Sequence, residues 1–338
     1  MKISYIVPVY NGQAFIRRCL DSILSQGFGD VEVIFVDDGS IDGSARILRE
    51  VSSKYTCCHS FFQRNLGCGA ARNAAIRKAK GEFLAILDVD DIALGERSRL
   101  QYEVALDRKA DLVVGGSKIV DLSRNQLGAY SPPTQPNKLY QELLRRKASF
   151  HHSSCLMRRS KVASFGGYCE RLRQGEDADI VFRFFETGSV TAVSDVVVEH
   201  TRHEASLSNG ANIEESLFSG VFITACHLLR TNTNVDITKL EDRYFNNALQ
   251  CSRKWFADGS AIKDLRFKQE LKSSRKQSAF KFLRKALLNP LSSVDAALMK
   301  IRGDLSPHEL ATHLVSAGVI PDLRPGDAPS RWTVMYPQ

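Results

Sequence analysis

The 338-residue sequence has no apolar run approaching the ~20 residues that a bilayer-crossing helix needs, which argues against an integral membrane protein. Its eight cysteines, at positions 19, 57, 58, 68, 155, 169, 226 and 251, form no Cys-x-x-Cys pair and no regular framework. That excludes a zinc ribbon and a disulfide scaffold, and leaves reduced, mostly buried thiols as the expectation. The opening residues MKISYIVPVYNG break at Pro8 and turn polar by Asn11, which is not a secretory pattern and points to the cytoplasm. There is no internal repeat and no low-complexity tract. The basic residues are not interleaved with a recognisable nucleic-acid module, so no nucleic-acid partner is expected.

What is present is an ordinary globular composition, 43% apolar and 25% charged, with a net charge of +8 that is unevenly placed. Between Arg253 and Arg302 thirteen Lys or Arg face four Asp or Glu, a local excess of +9 that leaves the remainder near −1. The positive charge therefore belongs to the C-terminal part.

Up to about residue 125 strand and helix patterns alternate. ISYIVPVY reads as a strand, followed by Ile16, Cys19, Leu20, Ile23 and Leu24 at the i, i+3, i+4, i+7, i+8 spacing of an amphipathic helix. Further strands are expected at 31–36, 58–63, 82–88 and 110–121, with helices at 42–54, 69–80 and 96–109. Such alternation implies a mostly parallel α/β sheet flanked by helices, with ligands beyond the C-terminal strand ends. After the proline-rich loop 131–136 the pattern is mixed: a helix near 137–147, strands at 150–157 and 190–199, and a helix at 177–187. Beyond Asn209 it reads as helical, with an irregular tail.

The chemistry-bearing residues cluster where strands end. Residues 83–91, FLAILDVDD, run five apolar residues into Asp88, Asp90 and Asp91. Like charges this close repel unless a cation or a donor-rich ligand sits among them. One or two carboxylates plus substrate phosphates is how Mg²⁺ or Mn²⁺ is usually held. Asp37-Asp38-Gly39-Ser40 closes the second strand, where a carboxylate can accept from a base N–H or a ribose hydroxyl; a plain strand–turn–helix cap is the competing explanation. Asn65-Leu66-Gly67-Cys68-Gly69-Ala70-Ala71-Arg72-Asn73 is a glycine-bearing turn opening a helix, suited to phosphate, with Arg72 as a charged donor. It lacks the third glycine of a dinucleotide fingerprint. Gly175-Glu176-Asp177 opens another helix: the acidic pair complements the helix dipole or supplies a general base. His200, Arg202 and His203 end a strand, with His suited to Mn²⁺ and Arg to phosphate.

In their order and spacing VPVYN, VDDGS, NLGCGAARN, LDVDD, GED and RHEASLS resemble the family 2 glycosyltransferases over residues 1 to about 208. The resemblance implies a GT-A type α/β fold and an inverting transferase that moves a sugar from a nucleotide-diphospho-sugar, most often a UDP-sugar, to a hydroxyl of a glycan or lipid-linked acceptor. It implies that Asp38 contacts the base with Pro8 and Tyr10 packed around it, that Asp88 touches the ribose, and that Asp90 binds Mn²⁺ or Mg²⁺. It implies that Asp177 is the catalytic base, and that Arg202 and His203 contact diphosphate or metal. Asn65, Arg72 and Glu176 complete the nucleotide-sugar set. Ile41 departs from the usual Thr or Ser of DDGSTD. A role in surface polysaccharide assembly follows from the habits of the family.

Residues 1–210 are expected to form the catalytic domain and 211–338 a basic helical subdomain. Within it 279–302 carries Phe280, Leu283 and Leu287, then Leu291, Val294, Leu298 and Ile301, accompanied by Lys281, Arg284, Lys285, Lys300 and Arg302. These make a helical face packed on the catalytic domain or, through 275–302, a peripheral contact with an anionic membrane. Two other functions compete: a sugar nucleotidyltransferase, which lacks support because VPVYNGQAF stands where its phosphate loop belongs, and a catalytically silent sugar-nucleotide-binding protein.

Overall fold

Residues Ile3–Val9 form strand β1, buried at all seven positions, as a continuous apolar run requires in a sheet covered on both faces. Its polar residue Ser4 is fully bonded: Oγ donates to Glu32 Oε1 at 2.6 Å and accepts from Gly81 N at 2.8 Å. Glu32 also accepts Lys80 N at 2.7 Å, so a buried carboxylate fixes the turn into the fourth strand. The amphipathic helix follows as α1 (Ile16–Leu24), burying Ile16, Cys19, Leu20 and Ile23; each large aliphatic side chain contributes about 1.5–3 kcal/mol of transfer free energy. Phe15 precedes it in helical conformation, and Ile16 N donates to Gly12 O at 3.3 Å, so the chain enters α1 through a turn begun at Gly12. Next come β2 (Val31–Asp38), α2 (Ser44–Lys54), β3 (Cys58–Gln63), α3 (Cys68–Lys78) and β4 (Phe83–Ile86). Ala70, Ala71 and Ala75 let α3 lie close on the sheet.

The structure is a computed structural model and describes residues 1–144, 151–203, 213–258, 307–317, 319, 320 and 323. The chain divides into two compact units, Met1–Leu143 with Ala148–His203, and Glu204–Tyr336 with Leu144–Lys147.

In the first unit the remaining elements are β5 (Ile92–Ala93), α4 (Arg97–Asp107), β6 (Leu112–Val120), β7 (Gln126–Tyr130), α5 (Pro136–Leu144), β8 (Cys155–Arg158), α6 (Arg159–Phe165), α7 (Glu176–Thr187) and β9 (Val190–Thr201). The sheet order is β3-β2-β1-β4-β8-β6-β9-β5, with β7 on β6. The parallel arrangement expected from the alternation holds for β3-β2-β1-β4. Beyond β4 the sheet becomes mixed, because β8 enters antiparallel between β4 and β6. Strands β6 and β9 are again parallel, with a shift of register at Gly115–Gly116. A Cβ on Gly115 would run into Val197 Cγ2, and one on Gly116 would lie 2.8 Å from Asp195 O, so the bulge needs both glycines. Sequence periodicity missed β5, β7 and α6, and it began the 150–157 strand too early. Residues His152–Ser154 form a 3₁₀ turn instead, since Ser154 N and Oγ both donate to His151 O, each at 2.8 Å, and strand pairing starts only at Cys155.

The second unit contains α8 (Ile213–Thr233), α9 (Asp242–Asp258) and α10 (Pro307–Ser316), plus a 3₁₀ turn at Ile237–Lys239. Phe222, Leu229, Phe245, Leu314 and Val315 are among its buried apolar residues. Asp236 accepts Thr238 N at 3.1 Å and pairs with Arg230 at 3.6 Å. Among the described residues no helix is long and apolar enough to cross a membrane. The basic segment 275–302 and the tail after Leu323 lie outside the described residues.

Candidate active site

The C-terminal ends of β1, β2, β4 and β9 and the N-terminal halves of α3 and α7 carry the residues singled out in the sequence. Pro8 is buried within β1, opposite Val36, and Tyr10 just beyond the strand is 52% exposed. The loops that follow β1 and β2 are laced together. Asn11 N donates to Ser40 Oγ (2.9 Å), Gly12 N to Ser44 Oγ (2.9 Å) and Gln13 N to Asp42 Oδ2 (3.1 Å). In return Ile41 N donates to Asn11 Oδ1 (2.9 Å) and Gly43 N to Gln13 Oε1 (2.8 Å).

Asp38 is buried and organises the turn before α3. Oδ1 accepts Gln63 Nε2 and Leu66 N, both at 2.8 Å, and Oδ2 accepts Gly67 N at 2.9 Å. Two oxygens offer about four lone-pair sites, so one, on Oδ2, is left after these three bonds. Gly67, with φ of +97°, supplies a conformation that other residues rarely adopt. Asn65 in this turn is exposed.

Arg72, 4% exposed, joins two motifs far apart in sequence: Nη2 donates to Asp88 Oδ1 at 2.8 Å and Nη1 to Glu176 Oε1 at 2.9 Å. Its guanidinium also lies 5.5 Å from the Tyr168 ring centroid. The guanidinium expected to face phosphate is thus engaged at both ends by internal carboxylates. Burial works to raise the Asp88 carboxyl, but the Arg72 charge and hydrogen bond hold it below the usual carboxylate range. Glu176 goes the other way: burial, then the adjacent Asp177 charge, outweigh Arg72 and push it up to about 7. Asp177 lies in the first turn of α7, where its Oδ1 accepts Ala178 N at 2.8 Å. Gly175, at φ +85°, is the N-cap that lets the chain turn into this helix.

Asp90 and His203 meet directly, with Oδ2 3.0 Å from Nε2. This hydrogen-bonded carboxylate and imidazole are a donor pair that would hold Mn²⁺ or Mg²⁺. Among the described residues no group of three or more His, Cys, Asp or Glu is arranged to hold a metal.

Behind these groups lies a layer in which Asp91 and His200 were singled out in the sequence and His151, His152 and Ser153 were not. Asp91 is buried, with Oδ1 3.0 Å from His200 Nδ1 and accepting Thr201 N at 3.1 Å. Burial opposes a charge on His200, yet Asp91 holds its imidazole above the usual range. His200 stacks on His151 with centroids 4.0 Å apart. Burial, then the charges of His200 and Arg202, push His151 well down, which places Arg202 within electrostatic reach of this stack. His152 Nε2 lies 2.7 Å from Tyr168 Oη, and burial lowers its imidazole to about 4. Ser153 Oγ accepts Asp88 N at 3.1 Å. For His151, His152 and Ser153 the sequence signal was the polar HHSS run inside an expected strand.

Known proteins bear this reading out at the level of family and fold. The family described as Glycosyl transferase family 2 matches residues 4–165. An uncharacterized glycosyltransferase of Rickettsia typhi is 31% identical over 227 residues, 64% of this chain and 70% of that one. The putative glycosyltransferase EpsE of Bacillus subtilis is 30% identical over 191 residues, 55% of this chain and 68% of EpsE. Among solved structures, S. aureus TarS in complex with UDP-GlcNAc gives a TM-score of 0.56 at 18% identity, covering 94% of this chain and 91% of that one. The mannosyltransferase PcManGT of Pyrobaculum calidifontis, in complex with GDP-Man and Mn²⁺, gives 0.52 at 18% identity, covering 95% and 87%. The fold is that of the GT-A enzymes, with helices flanking a central mixed sheet. On these grounds the chain belongs to glycosyl transferase family 2 and is a glycosyltransferase.

Proposed function

We propose that this chain is an inverting, metal-dependent transferase that moves a sugar from a nucleotide-diphospho-sugar, a UDP-sugar first among the candidates, to a hydroxyl of a glycan or lipid-linked glycan. The setting we propose is surface polysaccharide assembly at the cytoplasmic face of a membrane. Residues 1–210 form the catalytic domain, and the basic helical part, 211–338, touches anionic lipid through 275–302. The observation that carries the chemistry is the Arg72 bridge, which sets Asp88, at the end of β4, against Glu176, beside Asp177. Donors of this class are supported by the bound UDP-GlcNAc and GDP-Man of the two structural neighbours.

In this reading Asp38 offers its remaining Oδ2 site to a base N–H, with Pro8, Tyr10 and Asn65 around the base. Asp88, held by Arg72, accepts from the ribose. Asp177 removes the proton of the acceptor hydroxyl as that oxygen attacks the anomeric carbon. The new C–O bond forms on the face opposite the diphosphate as the bond to the diphosphate oxygen breaks, and one displacement inverts the centre. Glu176, tied to Arg72 and near neutrality, leaves Asp177 as the carboxylate free of that pair. Arg202 stabilises the charge growing on the leaving group. Asp90 and His203 would hold a divalent ion, which when bound supplies further neutralisation of that charge.

Calorimetric titration of UDP, GDP and dTDP, each with Mn²⁺ and with chelator, tests the reading. Metal-dependent binding of one nucleotide, with turnover of its sugar conjugate in the presence of acceptor, is the expected result. Binding of none would remove the donor assignment, and binding without turnover would favour a silent sugar-nucleotide-binding protein.

A further inference from the structure

Phe15 stands at the entry of helix α1, in helical conformation. Its ring stacks on the imidazole of His203, with centroids 5.2 Å apart and planes 21° from parallel.

One turn further on, Arg18 faces the same place. Its Nη2 donates to Asp90 O at 2.9 Å and to Thr201 Oγ1 at 3.1 Å. These acceptors belong to the two segments that bring Asp90 and His203 together: the turn after β4 and the end of β9. The guanidinium also lies 5.5 Å from the Phe15 ring centroid, and its Nε is buried without a hydrogen-bond partner. Arg17 beside it is a surface residue, 58% exposed and paired with Glu50 on α2. Both Arg18 bonds go to neutral oxygens.

We propose that Phe15 and Arg18 are positioning residues that hold Asp90 and His203 side by side, where they would bind a divalent cation. The proposal rests on the metal–diphosphate reading of that pair. Arg18 fixes the two backbone segments and Phe15 fixes the plane of the imidazole. A metal ligand whose outer contacts are lost typically binds its ion 10–100-fold more weakly. Because α1 starts from the loop after Tyr10, with Phe15 N bonded to Gly12 O at 2.9 Å, one helix end carries both the proposed base contact and the support of the metal pair.

The test is Mn²⁺ titration into the full chain followed by electron paramagnetic resonance, in the presence of UDP and, in parallel, GDP and dTDP. Nucleotide affinity in chelator is measured beside it. Wild type and Asp90→Ala establish the pair as the metal site. Arg18→Met, Arg18→Lys and Phe15→Leu are expected to weaken Mn²⁺ about tenfold or more while affinity in chelator stays within twofold. Phe15→Tyr, which keeps the stacked ring, is expected to restore the wild-type value. Arg18→Lys separates geometry from charge: if charge alone mattered, Lys would behave as wild type and Arg18→Met would bind Mn²⁺ more tightly, and either result overturns the proposal. If wild type binds Mn²⁺ and Asp90→Ala does not, unchanged affinity in folded Arg18→Met and Phe15→Leu overturns the positioning role alone. If wild type takes up no Mn²⁺ with any of the nucleotides, the metal reading and the positioning role fall together.

Discussion

The two sides of the sheet in the first unit are built differently. Strands β3-β2-β1-β4 run parallel and are joined through helices of 9, 11 and 11 residues. The side formed by β8-β6-β9-β5 mixes directions and includes a two-residue strand and a glycine bulge. The first side is regular because β1, β2 and β4 are predominantly apolar and buried, and the polar pair inside them, Ser4 and Glu32, is bonded internally. On the second side polar groups intrude into the elements: the HHSS turn before β8, the acidic start of α7, and the His and Arg at the end of β9. Regularity there gives way to the presentation of side chains. Arg72, on α3 of the regular side, reaches across to Glu176 on the other and to Asp88 where the two meet.

If that division holds, changes on the irregular side should strike turnover, and changes on the regular side should strike stability. The largest expected effect is that of Asp177→Asn. Loss of the base should lower kcat by about 10²–10⁴-fold, with donor affinity and thermal midpoint near wild type. Steady-state kinetics beside donor calorimetry checks this, and wild-type turnover would move the base elsewhere.

Gly81→Ala is the counterpart on the regular side. Its Cβ would lie 2.5 Å from Ser4 N and 2.7 Å from Ile3 C, which are backbone atoms unable to swing away. Overpacking of this kind costs about 1–3 kcal/mol, so the urea midpoint should fall while kcat per folded molecule is retained. An unchanged midpoint would mean that the turn at the start of β4 yields more easily than its bonds to Ser4 and Glu32 imply.

A smaller effect sits at the junction. Glu176 releases its proton at about 7 in the folded chain against an ordinary 4.5. Between those values the folded state holds the extra proton, so this carboxyl makes stability fall as pH rises. Wild-type stability measured relative to Glu176→Gln should therefore decline from about pH 4.5 to about pH 7 and level off above. Parallel pH profiles for the two proteins would contradict the raised value.

How much of this was legible in the sequence follows the same division. The i, i+3, i+4 spacing of Ile16, Cys19, Leu20 and Ile23 gave α1 its bounds, and the apolar run Phe83 to Leu87 marked β4, because in the regular side pattern and burial coincide. The order of the motifs also pointed to the family. Short elements escaped: β5 has two residues, fewer than any periodicity can register, and β7 is an exposed hairpin strand held by β6. Within the site, Asp88, Glu176 and Asp177 were recognisable as strand-end and helix-start acids. That one buried arginine would bind two of them was not, since sequence spacing carries no information on a contact spanning 104 residues. Phe15, Arg18, His151 and His152 were not singled out, because none of them stands in a motif and their partners are distant in sequence.

The lacing between the loops after β1 and β2 has a consequence for motion. Asn11, Gln13, Ile41 and Gly43 lie in irregular backbone near the surface, where amides usually exchange with solvent quickly. Here each of their N–H groups is bonded by a side chain of the opposite loop. None can open until the two loops separate, so these amides should exchange slowly and together, with the cooperativity of a folded element. In deuterium labelling the rim of the site would then register with the sheet beneath it, and not with the loops its backbone resembles.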